Sequence, residues 1–91
     1  MRFEWDPRKA VRNSAKHGVS FEDAATAFGD PLSLTVFDPD HSEEEDRFIL
    51  LGMSLQPRVL VVCHCYREGE SVIRIISARK ADKREQETYW S

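Results

Sequence analysis

Arginines at the ends and in the middle of two predicted strands are the first candidates for chemistry in this sequence. Arg67 ends the stretch VLVVCHCYR, and Arg74 and Arg79 lie within the next stretch, VIRIISAR. A guanidinium binds two oxygens of a phosphate group at once, so these residues suit a site for phosphate. They could equally form ion pairs with carboxylates of the acidic segment, and the pattern alone leaves both interpretations open.

The alternation of side chains in residues 72–79 predicts the directions of two of these arginines. Successive side chains of a regular strand point to opposite faces of the sheet, so Arg74 and Arg79 are expected on opposite faces. A bulge, or the end of the strand near Ala78, would change that relation. The stretch is apolar on both sides, so we expect a central strand that is covered on both faces.

Groups able to transfer a proton lie near the end of the first predicted helix, in the acidic segment and near the C-terminus: Lys16, His17, His41, Glu45 and Tyr89. A histidine has the best-suited ordinary pKa, about 6.5, which favours His17. Alternatively, His17 only stabilises the C-terminus of its helix. Glu45 could pair with Arg47 and order the acidic loop, and Tyr89 could stack on a nucleic-acid base or anchor the last helix.

The residues that could bind a metal ion do not form a complete set of ligands. Cys63 and Cys65 flank His64, but a zinc site would need two further ligands, and the chain has 3 histidines in all. Buried thiols in a core strand are the preferred interpretation. The turn DPD (38–40) lacks the other residues of a calcium-binding loop. No nucleotide-binding glycine loop or nucleophilic triad is present, so the sequence predicts no metal and no cofactor.

Charge is distributed unevenly along the chain. The 91 residues have a formal net charge of −3 and are expected to form one domain, residues 1–91. Residues 21–46 carry nine acids and no Lys or Arg, whereas the remainder has 13 basic and 7 acidic residues. The acidic segment is either a solvated face or leaves a basic surface elsewhere for nucleic acid. No apolar run approaches the roughly 20 residues that span a bilayer, and no signal peptide is recognisable, so we expect a cytoplasmic protein.

Three helices are predicted from their terminal residues. Asp6 is a helix N-cap followed by Pro7 at the first helical position, and this helix should end at His17 before Gly18. A second helix should begin after Ser20 and end at the stretch Gly29-Asp30-Pro31. Asp82 and Glu85 have the spacing of a capping box, which predicts a C-terminal helix.

Strand-forming residues dominate the region between the second and third helices. Short connections favour antiparallel hairpins between the predicted strands, which are 32–38, 47–54, 58–68 and 71–81. The stretch FEW (3–5) is only a short strand-like start. We therefore expect an α+β protein with two N-terminal helices, a mainly antiparallel four-stranded sheet and a C-terminal helix.

Three blocks of the sequence resemble one family, in order and over nearly the whole chain. They are FEWDPRKAVRNSAKHGVSFEDAATAFGDP, the acidic D-H-x-x-E-E-x-R-F, and RIISARKAxxxExxxY. These blocks resemble the BrnT toxins of type II toxin–antitoxin systems, which are similar in fold to the RelE-type ribonuclease toxins. The resemblance implies an endoribonuclease that cuts mRNA and halts translation. It also implies a BrnA-like ribbon-helix-helix antitoxin, and the toxin would bind operator DNA only through this antitoxin. No membrane partner is expected.

The chemistry that the resemblance implies can be matched to particular residues. RNA cleavage without a metal uses the ribose 2′-OH as nucleophile and needs a base, a positive group at the phosphate and an acid for the leaving oxygen. We predict catalytic roles for Arg79, Arg67, His17 and Glu45, and substrate-binding roles for Arg74, Lys16, Arg47 and Tyr89. The alternative hypothesis is a non-catalytic protein-binding module in which the arginines are structural.

Overall fold

One sheet of five strands organises the protein in the computed structural model, which describes residues 1–91. The strands are β1 (Arg2–Glu4), β2 (Leu34–Asp38), β3 (Arg47–Met53), β4 (Val59–Arg67) and β5 (Val72–Lys80). Their spatial order is β1-β5-β4-β3-β2. Strands β2 to β5 pair antiparallel with their sequence neighbours, as the short connections between them predict.

The prediction of four strands is wrong because the N-terminal stretch completes the sheet. β1 pairs with β5 in parallel, from Arg2 opposite Val72 to Glu4 opposite Arg74. Three residues are too few to show the alternation of a strand, and the pairing partner lies near the other end of the chain. The parallel direction is possible because two helices and most of the sheet form the connection between these strands.

The three helices begin where the capping residues predict. They are α1 (Pro7–His17), α2 (Phe21–Thr26) and α3 (Lys83–Trp90). Gly18 ends α1 in the left-handed conformation, with a φ of 68°. α2 has only 6 residues, shorter than predicted, and is followed by a 3₁₀ turn at Ala27–Gly29. This turn lies against Gly52 of β3, where an added Cβ would be 2.9 Å from the Ala27 carbonyl oxygen.

α1 and α2 pack on one face of the sheet, which we call the covered face. Its core contains the following buried side chains: Val19, Phe21, Ala24, Ala27, Leu50, Leu60, Val62, Ile73, Ile75 and Ala78. Asn13 joins α1 to β5, because its side-chain amide donates to the Ala78 carbonyl (2.8 Å) and its Oδ1 accepts from the Ala78 N–H (3.0 Å). The end of α1 is thereby held beside the second half of β5.

A bulge interrupts the pairing of β4 with β5. Cys63 lies opposite Ser77, but the next residue, His64, lies opposite Ile75. Ile76 is therefore an additional residue on β5 without a partner on β4, and the alternation of side chains changes at this point.

The bulge places two of the candidate arginines on the same face. Arg74 lies opposite Cys65 and Arg79 lies opposite Val61. Cys65 and Val61 are four positions apart on a strand without an extra residue, so both point to the same face, which is the one away from the covered face. Arg74 and Arg79 therefore do not point in opposite directions, as they would on a regular strand, and the alternative of a bulge is the one that the structure shows. We call their shared side of the sheet the open face.

α3 packs across one end of the open face. Tyr89 and Ala81 form a small buried cluster with Val59 and Val61 of β4. The capping box of Asp82 and Glu85 is present at the start of this helix. None of the helices is long and apolar enough to cross a membrane.

Candidate active site

A cavity of about 290 Å³ lies on the open face beside the bulge. It is lined by His17, Asp38, His41, Arg47, Ile49, Val61, Cys63, Ile76, Ser77, Ala78 and Arg79. The residues come from the end of α1, the end of β2, the turn Pro39–His41 and the three strands that follow. The cavity thus combines two histidines and two arginines over an apolar floor.

Asp38 and His41 form a hydrogen-bonded pair at the edge of this cavity. Asp38 is the last residue of β2 and is only 7% exposed. The turn Pro39–His41 brings the His41 ring back toward it, with 2.8 Å between His41 Nδ1 and Asp38 Oδ2. A carboxylate can only accept here, so Nδ1 donates and the other ring nitrogen, Nε2, is left available as a proton acceptor.

Arg47 lies next to this pair on the neighbouring strand. It is the direct cross-strand partner of Asp38, so the two side chains share the open face. One of its terminal nitrogens lies 3.8 Å from a carboxylate oxygen of Glu45, and its Nε is buried without a hydrogen-bond partner. A guanidinium with unused donors beside a cavity is suited to bind an anionic group.

Arg79 is held from outside the cavity by Glu85 of α3. Both terminal nitrogens of Arg79 donate to the two carboxylate oxygens of Glu85, at 2.7 and 2.8 Å. The hydrogen bonds from Arg79 lower the pKa of Glu85, and those to Glu85 raise the pKa of Arg79. Glu85 also accepts from the Asp82 N–H, which fixes its carboxylate at the start of α3. Arg79 is therefore positioned by a helix that the sequence did not place on this face.

His17 reaches the cavity from the C-terminal end of α1. Its ring is half-buried, and the left-handed Gly18 ends the helix directly after it. Lys16, one residue earlier, is exposed and does not line the cavity. The structure therefore places His17, the predicted catalytic residue, at the cavity and leaves Lys16, the predicted substrate-binding residue, outside it.

Arg67 and Arg74 lie on the open face but outside the cavity. A terminal nitrogen of Arg67 is 3.1 Å from Glu45, whose other oxygen approaches Arg47. Arg74 donates to Glu4 of β1 at 2.7 Å. Among the candidate arginines, only Arg47 and Arg67 pair with the acidic segment, through Glu45, since Arg74 and Arg79 have partners from β1 and α3. Glu45 thus joins the acidic loop to two arginines of the sheet.

Tyr89 is part of the core and not of the cavity. Its side chain is buried, and its hydroxyl donates to the Asp30 carboxylate at 2.5 Å. This hydrogen bond, together with burial, raises the pKa of Tyr89 to about 12. The position corresponds to the anchoring interpretation of Tyr89, because a buried ring has no face available for stacking on a base.

The two cysteines are free thiols on the open face. Cys63 lines the cavity and Cys65 is buried. Burial raises the pKa of both thiols, which keeps them protonated near neutral pH. No group of three or more His, Cys, Asp or Glu side chains is arranged to hold a metal ion.

Comparison with known proteins identifies the family. Residues 5–85 match the family described as the ribonuclease toxin BrnT of type II toxin–antitoxin systems. This chain belongs to the BrnT family. Among solved structures, the Brucella abortus ribonuclease toxin BrnT superposes with a TM-score of 0.65 at 25% sequence identity, over 91% of this chain and 99% of that chain. No curated protein gives a significant sequence match.

For this BrnT chain, the structure gathers some of the predicted site residues and separates others. His17, Arg47 and Arg79 line the cavity, whereas the others lie outside it: Arg67, Glu45, Arg74, Lys16 and Tyr89. Sequence reasoning missed the role of Asp38, which it interpreted as a turn residue, and named His41 without its partner. The signal was present in the spacing D-P-D-H, because a proline after the aspartate favours a tight turn that returns the histidine to it.

Proposed function

We propose that this BrnT chain is an endoribonuclease that cleaves mRNA without a metal ion and thereby inhibits translation. The observation that carries the proposal is the cavity on the open face, where the Asp38–His41 pair meets Arg47, Arg79 and His17. These are the groups that attack by a ribose 2′-OH requires.

His41 is the proposed general base. Asp38 holds the ring so that Nε2 can take the proton of the 2′-OH, and the same carboxylate faces the positive charge that then develops on the ring. The 2′-oxygen attacks the adjacent phosphorus, and the bond from phosphorus to the 5′-oxygen breaks. His17, on the α1 side of the cavity, is the proposed acid that protonates the leaving oxygen. The products are a 2′,3′-cyclic phosphate and a 5′-hydroxyl.

Arg47 and Arg79 are the proposed phosphate-binding residues. Both line the cavity, and charge on the non-bridging oxygens increases as the 2′-oxygen attacks. Glu85 engages one edge of the Arg79 guanidinium, so Arg79 can offer only its remaining N–H groups. Arg47 has the larger number of unused donors, and we therefore give it the larger share of the stabilisation.

The basic residues outside the cavity are proposed to bind the RNA on either side of the cleaved bond. Arg67 and Arg74 extend the positive surface along β4 and β5, and Lys16 is exposed beside His17. Glu45 orients Arg67 and Arg47 rather than touching the substrate. Such contacts contribute mainly to affinity and weaken as salt is raised.

The proposed partner in the cell is a BrnA-like ribbon-helix-helix antitoxin. It neutralises the toxin, and the complex binds operator DNA only through the antitoxin. Both partners, like the mRNA substrate, are proposed to be cytoplasmic. The family assignment to type II toxin–antitoxin systems supports this proposal.

The proposal is tested by cleavage of a defined RNA in excess EDTA. We expect the purified chain, free of antitoxin, to cut the RNA and to leave 2′,3′-cyclic phosphate ends. His41→Gln and Arg47→Gln should each lower the rate by about 10²–10⁴-fold, whereas Arg12→Gln, an exposed change on α1, should not alter it. Cleavage that requires a divalent ion, or normal rates in both site variants, would overturn the mechanism.

One observation favours a second function, that of a non-catalytic binding module. Arg67, Arg74 and Arg79 each already pair with a carboxylate of this chain. In that case the arginines are structural, and the antitoxin-free chain should degrade no RNA with or without metal ions. The same assay therefore separates the two functions.

A further inference from the structure

The two edges of the sheet differ in their protection against pairing with another strand. β1 has only three residues, and its ends Arg2 and Glu4 carry exposed charges. β2 has five residues and pairs with β3 in continuous register along its whole length. Natural edge strands are usually protected by lysine, proline, a bulge or shortness, and β2 has none of these.

β2 also exposes apolar side chains toward both faces of the sheet. Val36 is 59% exposed and lies on the open face beside Ile49, and Phe37 is 49% exposed and lies on the covered face against Phe48. An added strand would therefore find an unpaired backbone edge and apolar surface above and below it. This is the arrangement of a site for β-strand addition.

The charge around this edge selects the kind of strand. Four exposed carboxylates in the loop after β2 have no ion-pair partner in this chain: Asp40, Glu43, Glu44 and Asp46. Residues 21–46 contain no Lys or Arg that could compensate them. An incoming strand with lysine or arginine would gain attraction that a neutral or acidic strand would not.

The same charge distribution argues against a second copy of this chain as the occupant. Parallel pairing of β2 with its own copy would bring the two acidic loops side by side. Antiparallel pairing would set each loop beside the start of the other β2, in a stretch that has no Lys or Arg to attract it. Repulsion between like charges at such a contact is unfavourable. RNA is disfavoured along the β2 edge itself, because β2 carries no Lys or Arg to offset the carboxylates, whereas the cavity offers Arg47 and Arg79.

We propose that the β2 edge is the docking site of the antitoxin, through an extended segment that is apolar at alternate positions and rich in lysine or arginine. The antitoxin as partner rests on the proposed function. A strand added to β2 would lie about 4.8 Å from it, next to Asp38 and the turn that carries His41. One contact would therefore both bind the partner and close the β2 side of the cavity.

The test uses the full chain and a synthetic nine-residue peptide of alternating lysine and valine as probe. We expect this peptide to slow amide hydrogen exchange at Leu34–Asp38 while leaving Arg2–Glu4 unchanged. A control peptide with glutamate in place of lysine should bind at least about tenfold more weakly. Two further control peptides are N-methylated at alternate residues, so that each lacks the backbone N–H donors of one edge. The peptide that is methylated on the edge paired with β2 should not bind, which identifies backbone pairing.

Variants of the chain locate the site. Val36→Lys and the double variant Glu43→Lys, Glu44→Lys should each weaken binding of the lysine peptide about tenfold. Val11→Lys, a matched change at an exposed position of α1, should leave binding unchanged. All three proteins should cut RNA as the wild type does, since none changes a residue of the cavity.

Several results would overturn the docking site. The docking site is overturned if the peptide protects amides elsewhere than in β2. It is likewise overturned if the glutamate control peptide binds equally well, or if both N-methylated control peptides bind. A dimer in solution with β2 already protected would show that a second copy occupies the edge. If the chain cuts no RNA but binds the lysine peptide at β2, the proposed function fails and the docking surface stands. If it cuts RNA and does not bind the peptide, the docking site alone fails.

Discussion

The two faces of the sheet contain histidines in opposite environments. On the covered face, His64 is 0% exposed, and its ring lies among Phe28, Phe48 and Tyr66. Its Nδ1 is 3.1 Å from the Val62 carbonyl, and its Nε2 has no partner. Burial lowers the pKa of His64, so the ring is neutral in the folded protein near pH 7 and acts as a core side chain.

On the open face, His41 is mostly solvent-exposed and is held by the buried carboxylate of Asp38. The exposed ring can exchange protons with a substrate, and the carboxylate fixes which nitrogen does so. The comparison shows that the surroundings of a histidine, rather than its presence in the sequence, distinguish a structural ring from a candidate base. Changes on the open face should therefore affect catalysis, and changes on the covered face should affect stability.

The largest expected effect is on the open face. Asp38→Asn should lower kcat for RNA cleavage by about 10²–10⁴-fold with little change in KM, because the amide no longer holds His41 in the tautomer that accepts a proton at Nε2. In a chain that already carries His41→Gln, the same change should have almost no further effect on kcat. Independent, multiplying losses in the double variant would show that the two residues do not act as a pair.

A change in the middle of the covered face should lower stability without affecting chemistry. Leu60 is 0% exposed in the main core, and Leu60→Ala should lower the free energy of unfolding by about 2–5 kcal/mol. The exposed Leu55 is the matched control, and Leu55→Ala should change the free energy of unfolding by less than about 0.5 kcal/mol. Denaturant titration measures both values. The kcat of the folded Leu60→Ala protein should remain that of the wild type. A loss of kcat without a loss of stability would show that the covered face also affects catalysis.

The smallest expected effect concerns the pH dependence that His64 contributes. Its pKa in the folded state lies below the value of about 6.5 in the unfolded state, so the unfolded chain binds the proton first. The stability that depends on a neutral His64 ring is therefore fully present above about pH 6.5. It is lost as the pH falls below that value, by at most about 1.4 kcal/mol per pH unit.

His64→Leu isolates this contribution from that of the carboxylates. The difference in unfolding free energy between wild type and variant should be constant above about pH 7 and should change in favour of the variant below about pH 6. A difference that is independent of pH across this range would mean that His64 titrates alike in the folded and unfolded chains.

The local signals in the sequence predicted local structure well. Asp6, Ser20 and Asp82 cap the three helices, because each cap depends on hydrogen bonds to residues two or three positions away. The short connections likewise predicted the antiparallel pairing of β2 to β5. The family resemblance, from the first block to RIISAR, is confirmed by the family match and by the similarity to the Brucella toxin.

The arrangement of the arginines was not accessible in the same way. Period-two alternation placed Arg74 and Arg79 on opposite faces, but the bulge at Ile76 reverses that relation. A bulge depends on how a strand fits its neighbour and the helices packed on it, and Ile76 differs little in type from the isoleucines around it. The pairing of Arg79 with Glu85 depends in turn on the angle at which α3 leaves the sheet.

The sequence by itself therefore determined the caps, the hairpins, the α+β class and the kinds of groups available for chemistry, because these follow from interactions between near neighbours in the chain. Only the tertiary structure decided that the N-terminal stretch is a fifth strand, that one face collects the arginines, and that His41 rather than His64 meets a carboxylate at a cavity. The physical reason is that burial and pairing between distant segments set the protonation, orientation and partners of a side chain, and a local pattern does not contain that information.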